Sequence, residues 1–63
     1  MDQFYLEWLH KVTLLAYRKD MLVPSELEKE VENCYKAAMS PEKALDAIIG
    51  IAHFKGIALH TNK

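Results

Sequence analysis

The sequence predicts an all-α domain of three helices, and three observations carry that prediction. Gly and Pro are scarce, two of each in 63 residues, and no Asn-Gly or similar hairpin dipeptide occurs. Apolar residues recur at three- and four-residue spacing rather than in alternation. Helix-start signals at Ser25 and Ser40 cut the chain into segments of helical length. A chain this short holds one core, so a single domain is expected over residues 1–63.

The first helix is expected over about 2–20. Phe4, Tyr5, Trp8, Val12, Leu15 and Ala16 fall at helical spacing. Pro24 restrains Val23 to extended backbone, which ends the helix before the Met21-Leu22-Val23 segment. The second helix is expected over about 26–38. Ser25-Glu26-Leu27-Glu28 reads as a capping box, in which the Ser hydroxyl accepts from the N–H three residues on and the Glu returns the bond. Leu27, Val31, Cys34, Tyr35 and Ala38 form one narrow apolar stripe on it. Its other side is polar, dominated by Glu26, Glu28, Glu30 and Glu32. The third helix is expected over about 41–55, with Ser40 as N-cap and Pro41 at its first position. Gly56 is either its stop or an interior glycine, in which case the helix reaches His60.

Composition excludes several classes of protein. One cysteine forms no internal disulfide, so a disulfide-stapled secreted scaffold is excluded and a reducing, cytoplasmic setting fits. Asp2 and Glu7 stand where a signal peptide needs positive charge, so no targeting segment is expected. The longest apolar stretch, 44–54, is broken by Asp46 and His53 and falls short of the roughly 20 residues of a membrane span. Nine acidic and eight basic residues give a net charge of −1, without the basic excess that nucleic acid or an anionic membrane attracts.

The apolar content, 51%, is high for a chain with little interior. On a helical wheel the second helix needs cover on one side only. The first and third carry apolar residues around more than half of their circumference. Contiguous exposed apolar surface marks interaction sites, so a helical-bundle homodimer through the first and third helices is expected, two-fold dimers being the commonest closed oligomer. The plainer alternative is a monomer with scattered surface apolars. Ala44, Ala47, Gly50, Ala52, Gly56 and Ala58 would let a neighbouring backbone approach the third helix; they also suit an ordinary helix, the glycines apart.

Six residues are candidate interface anchors: Trp8, Leu14, Tyr17, Ile49, His53 and Ile57. Leu14 is apolar amid Glu7, Lys11 and Arg18. Ile49 and Ile57 interrupt the polar side of the third helix, beside His53. Trp8 and Tyr17 belong to the types that carry interface energy, although a small core also competes for Trp8.

No catalytic residue and no cofactor are expected, because the sequence holds no phosphate loop, triad or metal-spaced ligand set. Cys34 lies on the apolar stripe in an acidic neighbourhood, the setting of a structural thiol. His10, Cys34, His53 and His60 are the only soft ligand types, and no pair has zinc-motif spacing. Lys55 lies in the apolar arc of the third helix. It meets water at the helix end, snorkels, or pairs with a carboxylate such as a glutamate of the second helix.

The expected function is therefore a non-catalytic protein–protein interaction module. A small intracellular regulator or inhibitor, of the kind found in bacteria and phages, fits the size. Its partners would be a second copy and a larger protein, with no membrane and no nucleic acid. The alternatives are a small nucleic-acid-binding transcriptional regulator, which would read DNA through a helix-turn-helix of the second and third helices, and a His/Cys metal-binding helical module. The recognition helix of the former would lack the basic face it needs.

Overall fold

The computed structural model describes residues 3–59, and over that range the chain is all-helical with three α-helices and no strand. Helix α1 spans Gln3–Arg18, α2 spans Glu28–Lys36 and α3 spans Pro41–Lys55. The third helix has the expected bounds. The first ends two residues early within the described range, and Asp2 lies outside that range. His60 also lies outside it, but α3 has already stopped at Lys55.

The start of the second helix departs from expectation. Ser25–Leu27 forms a single 3₁₀ turn, and no side-chain capping bond forms at Ser25 or at the α2 N-terminus. The capping box is not made. Leu27 is completely buried, and placing it in the core tightens the turn. The freed N–H groups of Leu27 and Glu28 bond to the carbonyls of Pro24 and Ser25 instead. At α3 the expected cap is present: the Lys43 N–H donates to Ser40 Oγ at 3.3 Å, and Pro41 opens the helix.

All three helices end alike. In each, one residue adopts a left-handed backbone: Asp20 (φ 59°), Ala38 (φ 60°) and Gly56 (φ 72°). The next N–H then reaches back to a carbonyl in the last turn: Met21 to Ala16 at 2.9 Å, Met39 to Cys34 at 3.1 Å, Ile57 to Ala52 at 2.8 Å. This is the Schellman arrangement, which satisfies carbonyls that a helix end leaves open. Only at Gly56 is the residue free of the Cβ penalty. Ala38, expected on the apolar stripe of the second helix, is instead an exposed residue just beyond that helix.

Helix α3 is the central element. It packs on α1 and on α2, and Ala44, Leu45, Ile48 and Ala52 form its inner face. Val12 and Ala16 of α1, Leu27, and Val31 and Cys34 of α2 complete the core. Burying several alanines lets backbones approach closely. The seam between α1 and α2 is built differently, from rings. Tyr5 and Trp8 stack with centroids 6.2 Å apart. Tyr35 meets Tyr5 edge-on at 5.0 Å and Trp8 at 5.3 Å. Such pairs add about 0.5–1.5 kcal/mol each beyond the area they bury. The Trp8 indole N–H donates to the Met39 carbonyl at 2.8 Å, tying α1 to the α2–α3 turn.

The core is closed at its other end by Leu59, which is buried and whose carbonyl accepts from the Leu22 N–H at 2.7 Å. The radius of gyration is 11.0 Å, close to the roughly 11 Å of a compact chain of this length. The apolar excess is therefore not the result of a loosely folded chain.

Candidate interaction surfaces

The six candidate anchors separate into three places. Leu14 and Tyr17 lie on the outer side of α1, turned away from Val12 and Ala16; they are 44% and 67% exposed. Leu6, 47% exposed, joins them at helical spacing, with the exposed His10 between. Thr13 does not break this side with a free hydroxyl, since its Oγ1 donates to the Leu9 carbonyl at 2.9 Å. Leu14 also borders a shallow cleft with Lys11, Leu15, Arg18, Pro41 and Glu42. Helix α1 thus carries apolar residues on two opposite faces, and α3 covers only one of them.

Ile49, His53 and Ile57 come together. They line one shallow depression with Met21 and Leu59, on the edge of α3 next to the α1–α2 connection. The isoleucines are half-buried and His53 is exposed.

Trp8 is held inside the fold. Its ring packs in the aromatic seam and its N–H is bonded. Burial pushes the neighbouring Tyr5 hydroxyl above its ordinary pKa, with Glu32 and Glu28 adding to the effect.

Sequence reasoning missed Phe54. It lies on the broad apolar arc of the third helix and is not among the six candidate anchors, yet its ring is 90% exposed. Leu45 and Glu42 share a cleft with Leu15 and Lys19 of α1, so that flank of α3 faces α1. Phe54 falls on the other flank, at the edge of the arc. The signal was the breadth of the arc itself, which exceeds what two neighbouring helices can cover. Phe4 and Leu22 are also exposed.

The polar groups offer structure rather than chemistry. Cys34 is buried, and burial followed by the charge of Glu30 raises its pKa, opposing thiolate formation. Lys55 combines two of its three expected readings: it sits at the helix end and pairs with Glu30, Nζ to Oε2 at 2.9 Å. The hydrogen bond from Lys55 is the main reason the Glu30 carboxyl titrates below its ordinary range. Among the described residues no three His, Cys, Asp or Glu side chains gather to hold a metal ion. Among them, too, no helix is long and apolar enough to cross a membrane.

No known family model, curated protein or solved structure matches this chain.

Proposed function

We propose that this chain is a non-catalytic protein-binding module that acts through helix surfaces. One observation carries the reading. Helix α1 buries Val12 and Ala16 against the fold and turns Leu6, Leu14 and Tyr17 outward. A helix apolar on two sides leaves a surface whose burial is favourable, at about 25 cal/mol per Å² of apolar area, and a partner supplies the cover. The polar surroundings of that stripe, Glu7, Lys11 and Arg18, resemble the rim of an interface more than the interior of one.

In this reading the chain works as a homodimer and as a small intracellular regulator or inhibitor of a larger protein. Self-association uses the apolar surplus of α1 and α3, and the larger protein recognises the assembled pair. The acidic face of α2 stays in water.

The test compares a tagged wild-type chain with a Leu14→Glu/Tyr17→Glu variant in its native cell. Both positions are exposed, so the variant should keep its helicity by circular dichroism. The expected result is one or more proteins recovered with the wild type and lost with the variant. Equal recovery by both chains, with both of single-chain mass in solution, would refute the reading.

A further inference from the structure

We infer that the outer face of α1 pairs with the same face of a second copy, antiparallel, across a two-fold axis level with residue 12. The inference rests on the protein-binding reading above and specifies its partner. The order of charges beside the apolar stripe sets the direction of the pairing. Glu7, Lys11 and Arg18 are exposed along one flank of α1, with the acid toward the N-terminus and the strongest base in the last turn. No ion pair among the described residues uses any of them.

In an antiparallel two-fold pair each flank faces its own copy, running in reverse. With the axis level with residue 12, Leu6 meets Tyr17 of the second copy and His10 meets Leu14. Glu7 then comes level with Arg18, and symmetry makes this pair twice. The mixed-sign flank is complementary to itself only when reversed. A parallel pair sets the charged flank against the flank of Leu9 and Thr13 and leaves all three charges unmatched. Reversal also places each helix N-terminus beside a C-terminus, which the helix dipoles favour. Lys11 is the one opposing element, because it faces its own copy close to the axis. The helix is about 24 Å long at 1.5 Å per residue, so the seam is shorter than a standard interface of roughly 800 Å² per partner. The dimer is accordingly weak, with a dissociation constant of about 0.1 mM.

Sedimentation equilibrium of the full chain tests the pairing between about 10 µM and about 1 mM, with circular dichroism confirming the fold of each variant. Glu7→Arg and Arg18→Glu should each raise the dissociation constant about tenfold, by turning two attractive contacts into repulsive ones. The double variant should return to within about threefold of wild type, as should an equimolar mixture of the two single variants. Lys11→Gln should tighten the dimer about threefold. A wild-type dimer indifferent to these swaps would overturn the antiparallel pairing and leave the protein-binding reading standing. A wild-type chain of single-chain mass at about 1 mM would overturn self-pairing altogether. The broader reading would then stand or fall on whether captured proteins depend on Leu14 and Tyr17.

Discussion

Helices α1 and α2 each lay one face on α3, and they differ in what they turn to solvent. Beyond Val31 and Cys34, α2 shows mostly glutamate, lysine and asparagine, the outer face of a helix that needs no further cover. Beyond Val12 and Ala16, α1 shows Leu6, Leu14 and Tyr17. Both helices are anchored to the same core, so the contrast is not one of stability. It teaches that burial inside the chain accounts for only part of the apolar content of α1. The remainder is surface in search of a partner.

The largest expected effects lie on the shared inner faces. Leu27→Ala under α2 and Ile48→Ala in α3 remove fully buried side chains and should each cost about 2–5 kcal/mol. A domain of this size has only about 3–9 kcal/mol in total, so urea denaturation should find either variant close to unfolded. Leu14→Ala on the outer face of α1, measured at low protein concentration, should stay within about 0.5 kcal/mol of wild type. A large loss there would break the comparison, because it would mean that Leu14 serves the fold.

Next comes the aromatic seam. Trp8→Phe keeps a ring but removes the bond to the Met39 carbonyl, and should lower stability by about 1–2 kcal/mol. The melting temperature checks this, and a variant as stable as wild type would show that the seam is packing alone.

Smaller still, and of opposite sign, are two glycine exchanges. Ala38→Gly relieves a left-handed alanine and should stabilise by about 0.5–1 kcal/mol. Gly50→Ala places a methyl group where no atom lies within 4 Å, inside a helix, and should gain about as much, ~0.5–1 kcal/mol. Gly56→Ala should do the reverse, because its positive φ suits glycine. Thermal unfolding of the three variants separates these signs.

The smallest effect is electrostatic. The Glu30 carboxyl titrates below its ordinary range because Lys55 donates to it. A depressed folded-state value means that the contribution is present above the unfolded glutamate value and is lost as pH falls through the lower, folded one. The melting temperature should therefore drop slightly more on acidification in the wild type than in Glu30→Gln. Identical pH profiles would show that this partly exposed pair contributes nothing, as many surface pairs do.

Much of the fold was legible because local rules dominated it. The Ser40-Pro41 start marked where α3 begins, Gly56 offered one of two ends for it, the one α3 takes, and the spacing of Val12 and Ala16 marked the inner face of α1. The second helix was less legible. Ser25-Glu26-Leu27-Glu28 has the letters of a capping box, but burial of Leu27 overrode the local preference and produced a 3₁₀ turn. The Lys55–Glu30 pair bridges two helices, and spacing along the chain ranks such a contact no higher than its alternatives. Phe54 was missed for a related reason: periodicity marks an apolar arc but not how far around it the neighbours reach. The same limit applied to the six anchors. Sequence put Trp8 and Tyr17 on one list, and packing separated them, one into the aromatic seam and one onto the open face of α1.

The most direct measurement is the solution mass of the wild-type chain by sedimentation equilibrium from about 10 µM to about 1 mM, run beside Leu14→Glu. The wild type should rise from the mass of one chain toward that of two, while the equally helical variant should stay at one. A wild type that remains a single chain throughout, or a Leu14→Glu variant that dimerises as well as wild type, would contradict pairing through the outer face of α1.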